Sequence, residues 1–266
     1  MICVLGDAHL DVVVRVLGPL AEDTDTPAST SLGVGGQAAN VAAWVAALGG
    51  QSRLICARGS DPAADVVTAE LSARGVGLAG PVLPGRTGVV VSLSDGGTRR
   101  SMLTDRGVGP QLGAGHLDPA WLADCAWLHL PAYSLVREPI AAAARAAAAL
   151  AGARRARLSI DLSSTAALTE YGPARFVRLL ADLTPDVVFG TEAEMALVGE
   201  VTGPELVLKM GAAGVRAGGV HYPAVPTDAV DATGAGDAFA AGYLLGGVRR
   251  GLAAAARAVA RIGGMP

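Results

Sequence analysis

Short apolar runs alternate along this chain with stretches of helical period, and that alternation confines it to few architectures. Residues 2–5, 53–56, 125–130, 157–162, 186–189 and 205–209 read as buried strands, and 37–48, 63–73, 139–151, 174–183 and 193–198 as the helices between them. Strand then helix, repeated, implies a mostly parallel sheet covered on both faces, because parallel neighbours need a crossover that folds back over the sheet. A length of 266 residues suits one such unit. The apolar fraction of 51% comes largely from Ala and Val, with only 4% aromatics, which favours closely packed helices on a sheet over an aromatic-rich β-sandwich.

Two segments break the rhythm. Residues 10–17 and 86–103 read as consecutive strands with no helix between them, and Asp95, Gly96 and Gly97 supply turn chemistry for a hairpin. The expectation is an α/β fold, a doubly wound, mostly parallel sheet in a single domain over 1–266. A small β-lid comes from about 10–33 and 86–104. Residues 18–31 are polar and contain proline, and are expected to be a mobile loop; two Ala-rich helices, from about Ala235 and about Arg249, close the chain.

Composition excludes several classes of partner. The formal net charge is -3, and the longest basic runs are pairs such as Arg99 with Arg100 and Arg249 with Arg250, so no stripe could track a nucleic-acid backbone. The first residues open directly into an apolar strand without a basic leader, and the Ala-rich stretch from Ile140 is interrupted by Arg145, so no membrane span is expected. Cys3, Cys56 and Cys125 lie far apart without CxxC spacing and read as buried thiols of a soluble, cytoplasmic protein.

The chemistry concentrates in VDATGAGDAFAAGYL, residues 230–244, where a Gly-Ala-Gly turn at Gly234, Ala235 and Gly236 opens an apolar helix with Asp237 in its first turn. Small residues let backbone approach a ligand, and unpaired amides at a helix start stabilise negative charge. Asp237 would repel a phosphate bound there. The pairing makes sense if Asp237 takes a proton from a hydroxyl while the amides hold a transferring phosphoryl group. The plainer alternative is an Asp that caps the helix and glycines that make a tight turn.

This stretch resembles the C-terminal signature of ribokinase-like (PfkB-type) carbohydrate kinases, whose Asp in the GAGD element is the general base. GVGGQAANVAAWVAALGG, residues 33–50, is similar to the same family's N-terminal signature, in which paired glycines and an Asn meet sugar hydroxyls. The resemblance implies that Gly35 and Gly36 let substrate lie against bare backbone and that Asn40 hydrogen-bonds a polyol. The opening GDAHLD matches too, making Asp11 the substrate carboxylate, with Asp7 in a turn or supporting role.

For the nucleotide, FGTEAEMALVG resembles the family's Asn-x-x-Glu element, with Glu194 organising magnesium through water and Thr191 standing where the family prefers Asn. LVLKMGAAGV resembles the strand and turn beside the nucleotide, with Gly211 and Gly214 giving room and Lys209, the only lysine, as a phosphate partner. Arg99, Arg100 or Arg106 on the lid would neutralise phosphate charge, Arg106 being assigned to substrate binding, although solvated surface arginines are the plainer reading. Relatives bind a monovalent cation near this loop, which would fall to Asp231 and Thr233 with potassium as the ion. The resemblance thus implies ATP, magnesium, a small polyol substrate, and a homodimer formed through the lids.

Three rivals are weaker. Gly33, Gly35 and Ala38 satisfy GxGxxA, but a dinucleotide fingerprint must follow a buried strand directly, and residues 28–32 are too polar. A P-loop needs Gly-Lys-Ser or Gly-Lys-Thr, and Lys209 sits between Leu208 and Met210. A relative that binds ligand without turnover is motivated by Thr191 and by the compact stretch between Glu194 and Lys209.

Overall fold

The computed structural model describes residues 1–94, 100–199 and 201–266. Its centre is a nine-stranded sheet. Six neighbouring pairs are parallel and join β1 (Ile2–Leu5), β4 (Ser52–Ile55), β5 (Val76–Ala79), β8 (Trp127–Pro131), β9 (Arg157–Asp161), β10 (Val187–Thr191) and β11 (Glu205–Lys209). An antiparallel hairpin, β12 (Val215–Ala217) and β13 (Val220–Tyr222), extends the β11 edge.

Strand β1 illustrates why apolar runs were the signal. All four residues are buried, with Ile2 and Val4 in one core and Cys3 and Leu5 in the other, as period-two geometry requires of a strand covered on both faces. The first core takes α1 (Gln37–Ala47), α2 (Pro62–Ala73) and α7 (Ala235–Val259); the second takes α3 (Ile140–Ala153), α4 (Thr165–Tyr171) and α5 (Pro173–Leu183). The short α6 (Glu192–Val198) packs on β10 and β11. The three cysteines are buried thiols. Ala-rich α7 breaks at Gly246 and Gly247, the latter at φ 77, which matches the two helices expected from about 235 and 249.

The lid is a four-stranded sheet ordered β3 (Ala28–Gly35), β2 (His9–Val16), β6 (Thr87–Ser94), β7 (Arg100–Gly107). One expectation is corrected here: 28–31 belong to strand β3, pairing Ser29 with Arg15 and Thr30 with Val14, and only the earlier part of 18–31 is loop. The polar residues reported solvent exposure rather than absence of a strand, since β3 is exposed along Ala28–Leu32 and its backbone is satisfied by β2. The turn residues Asp95, Gly96 and Gly97, and Arg99, lie outside the described residues, as does the side chain of Arg100. Strand β5, helix α4 and the β12–β13 hairpin were not foreseen.

Candidate active site

Strand β1 is followed by Gly6 and Asp7, and the chain turns at once into β2, which carries His9 and Asp11 near its start. The carboxylate of Asp11 presses against Gly35: a Cβ there would run into it. Gly36, the residue before α1, has φ 106, and a Cβ on it would stand 2.6 Å from the Asp7 carbonyl oxygen. That carbonyl accepts from the Ala39 amide at 3.3 Å, and Asp7 Oδ1 from the Ala38 amide at 3.4 Å, so Asp7 ties down the first turn of α1. The two glycines therefore make room for protein groups, Asp11 and the Asp7 carbonyl.

Asn40, on that first turn, donates from Nδ2 to Asp237 Oδ2 at 2.8 Å. Its Oδ1 is buried without a hydrogen-bond partner. Asp11 Oδ1 is in a similar state, 3.0 Å from His9 Nε2 but outside hydrogen-bond geometry. These two buried acceptors, one on β2 and one in the first turn of α1, can each take a hydrogen bond from a ligand hydroxyl.

Asp237 lies in the first turn of α7, after Gly234 in left-handed geometry. Burial pushes its carboxyl up to about 7; the Asn40 hydrogen bond pulls the other way, the Asp161 and Asp7 carboxylates add to the rise and Lys209 opposes it. The Ala235 amide is engaged by the Ala232 carbonyl at 3.2 Å, whereas the Gly236 and Asp237 amides have no partner among the described residues. Of the three amides expected to line an anion hole, two are thus left unpartnered.

Lys209, at the end of β11, points to that hole: a Cβ on Gly236 would lie 3.3 Å from its Nζ. Nζ also holds Asp161 Oδ2 at 2.7 Å, and Asp161 is fully buried at the end of β9. Burial pulls the lysine's pKa down, but Asp161, with Glu194 and Asp237, holds it above the usual value. The Ser163 amide fixes Asp161 through Oδ1 at 2.9 Å. Below lies His129, buried and bonded to Ser159 Oγ at 2.9 Å, with burial pushing it down to about 4, so it is neutral.

Thr191 and Glu194 form a reciprocal cap at the start of α6. The Thr191 amide donates to Glu194 Oε2 at 2.8 Å and Thr191 Oγ1 accepts from the Glu194 amide at 3.4 Å. Thr191 pairs across the sheet with Lys209, which puts Glu194 beside the lysine. Asp231 accepts from Thr233 at its amide and hydroxyl, and from the Gly263 amide at 3.0 Å, while Trp44 Nε1 holds the Gly264 carbonyl at 2.9 Å. The segment after α7 thereby folds back against Asn40 and Gly234.

Two cavities meet this centre. One of about 500 Å3 is lined by Lys209, Gly211, Gly214, Ala235, Gly236 and apolar residues of α7, including Phe239 and Leu252. The other, of about 380 Å3, has Asp7, His9, Arg106 and Tyr133 at its wall, with the Arg106 guanidinium 4.6 Å from the Tyr133 ring centre. Among the residues assigned to the nucleotide, Lys209, Gly211 and Gly214 line the first cavity, and Thr191 and Glu194 stand behind it. Asp161, His9 and Tyr133 were missed. For Asp161 the signal was its place at the carboxyl end of a parallel strand, where ligands of open α/β sheets gather.

Comparison with known proteins shows the fold and the family. Residues 1–265 match the family described as pfkB family carbohydrate kinase. An ATP-dependent ribose-1-phosphate kinase of Halopiger xanaduensis is 31% identical over 262 residues, covering 92% of this chain and 84% of that protein. A fructokinase of Salmonella typhimurium is 30% identical over 276 residues, covering 91% and 82%. Among solved structures, adenosine kinase from Sinorhizobium meliloti superposes with TM-score 0.87 at 24% identity, covering 100% of this chain and 95% of that one. An E. coli protein provisionally assigned as ribokinase II, solved with ATP and Mg2+, superposes with TM-score 0.83 at 24% identity, covering 99% and 94%. With a family match along nearly its whole length, and with the glycine-led helix starts and lid in place, the chain belongs to the pfkB family of carbohydrate kinases.

Proposed function

We propose that this kinase transfers the γ-phosphoryl group of ATP to a hydroxymethyl group of a small sugar, sugar acid or nucleoside, with Asp237 as general base. The observation that carries it is the coincidence at one helix start of a carboxylate with pKa about 7 and two unpartnered amides, Gly236 and Asp237. A base poised near the working pH exchanges protons with a hydroxyl at least cost, and fixed amides stabilise the charge that develops as phosphoryl moves.

The residues divide the work. Asp237 takes the proton from the attacking hydroxyl, and Asn40 aims its carboxylate. Asp11 and Asn40 Oδ1 accept from other substrate hydroxyls, which fixes the polyol for in-line attack. Lys209 and the two amides hold the transferring group, and the apolar wall of the larger cavity takes the base of the nucleotide. Closure of the lid excludes water, which otherwise competes for the phosphoryl group.

A divalent cation supplies charge neutralisation on the triphosphate. Among the described residues no three His, Cys, Asp or Glu side chains gather to hold a metal ion. The donor set therefore suits magnesium carried by the nucleotide, with Glu194 reaching it through water, since Glu194 Oε2 is already engaged by the Thr191 amide. Thr191, where the family prefers Asn, caps α6 and holds Glu194 in place. Asp231 and Thr233, tied to the segment beside the anion hole, are the proposed potassium neighbours.

A homodimer through the lids is favoured by an apolar row across one lid face, Leu32, Val12, Val91 and Leu103, of which Leu32 and Leu103 are 66% and 57% exposed. Among the described residues no helix is long and apolar enough to cross a membrane, and a cytoplasmic location is part of this proposal. The test is ADP release with ATP and magnesium across a panel of sugars, sugar phosphates, sugar acids and nucleosides. Release that depends on one class supports the proposal, and binding of ligands without any release contradicts it.

A further inference from the structure

The smaller cavity carries more basic charge than a neutral sugar requires. Beyond Asp7 and Arg106 at one end, its lining includes Arg137, from the segment between β8 and α3, and Arg175, in the first turn of α5. Three guanidinium groups therefore face one concavity against two carboxylates, Asp7 and Glu170.

An exposed arginine is ordinarily a solvated surface charge, and both Arg137 and Arg175 are exposed. What separates these from that default is how they are held. Arg106 lies over Tyr133, and Arg175 lies over Tyr171 with 4.2 Å from its guanidinium carbon to the ring centre. Tyr171 is itself braced edge-on by buried Phe176, ring centres 6.1 Å apart. Arg137 is fixed by Glu170, with one terminal nitrogen 3.2 and 3.1 Å from the two carboxylate oxygens. Among the described residues, no carboxylate stands within ion-pair distance of Arg175. Arg175 is thus stacked and oriented, with no carboxylate in contact and only the more distant Glu138 carboxylate feeling its charge, and a guanidinium held so is preorganised for a two-pronged contact with a phosphate or carboxylate.

We propose that this cavity receives the anionic end of the substrate on Arg175 and Arg137, with Arg106 adding to the field, so that the enzyme acts on a sugar phosphate or sugar acid in preference to a neutral sugar. The inference rests on the phosphotransfer reading above, which places the accepting hydroxyl at Asp237 and so directs the rest of the substrate past Asp7 into this cavity. The volume of about 380 Å3 lies within the range of roughly 300–1,000 Å3 usual for small-ligand sites.

Calorimetry with matched pairs tests it: ribose-1-phosphate against ribose, and gluconate against glucose, on the intact protein and on Arg175→Gln and Arg137→Gln. The wild type is expected to bind at least one anionic member about tenfold or more tighter than its neutral partner, with the preference shrinking as salt rises. The member that shows it identifies phosphate or carboxylate as the group read. Arg175→Gln is expected to lower that ratio by about 10- to 100-fold. Equal binding of neutral and anionic partners by the wild type overturns the proposal without recourse to a variant, as does an unaltered ratio in a folded Arg175→Gln protein. An anionic sugar that binds with the expected preference yet yields no ADP leaves the subsite standing and contradicts the phosphotransfer reading instead.

Discussion

Asn40 and Asp237, 197 residues apart in the chain, share a hydrogen bond of 2.8 Å that joins the start of α1 to the start of α7. The family resemblance cast Asn40 as a partner for sugar hydroxyls, yet its amide is spent on orienting the carboxylate, and only its carbonyl side faces the site unpartnered. The bond also favours the ionised form of Asp237 against the burial that disfavours it.

Asn40→Ala therefore raises the Asp237 pKa further. The acid limb of the pH–rate profile is expected to move up by about one unit, since a charge-accepting hydrogen bond is worth about 1.5 kcal/mol. Turnover at neutral pH falls and recovers at alkaline pH. A limb that stays in place removes Asn40 from this role.

In the wild type, rate should fall about tenfold per unit below a pKa near 7, because only ionised Asp237 accepts a proton. Stability runs the other way. A carboxyl raised from the usual 3.8 to about 7 favours the fold while protonated, so its contribution is complete below 3.8 and is lost as pH rises through about 7. Asp237→Asn should melt at a higher temperature than wild type at pH 8, and the gap should close toward pH 4.

How much of this was legible in the sequence follows the range of each interaction. The two glycine-led helix starts could be read because turn, amides and side chain lie within a few consecutive residues. The Asp161–Lys209 pair could not, because it spans the sheet from β9 across β10 to β11 and nothing local to Lys209 names its partner. Strand β3 was misjudged for a related reason: its polarity reflects which way it faces, and the bonds that make it a strand belong to β2. Asp11 was found, but the use of Gly35 to clear space for it depends on a close approach that spacing does not reveal.

Asp161 is fully buried and its lysine 14% exposed, so Asp161→Asn leaves a sequestered cation without its partner. A loss of about 3 kcal/mol in denaturant unfolding is expected, together with a raised KM for ATP as Lys209 loses its anchor. Unchanged values for both would mean that Lys209 is positioned by other contacts.

Gly35→Ala drives a methyl group into the Asp11 carboxylate. Either Asp11 or β3 must shift, so sugar affinity should fall by about tenfold or more while nucleotide affinity, governed by the other cavity, holds. Equal loss of both affinities would indicate a general collapse of the lid instead.

The central claim is that Asp237 is the base, and turnover of Asp237→Asn beside the wild type, with the sugar that gives the highest rate of ADP release, tests it most directly. The expected result is a kcat lower by about a hundredfold to ten-thousandfold with ATP affinity retained; a variant that turns over at near the wild-type rate would contradict the account.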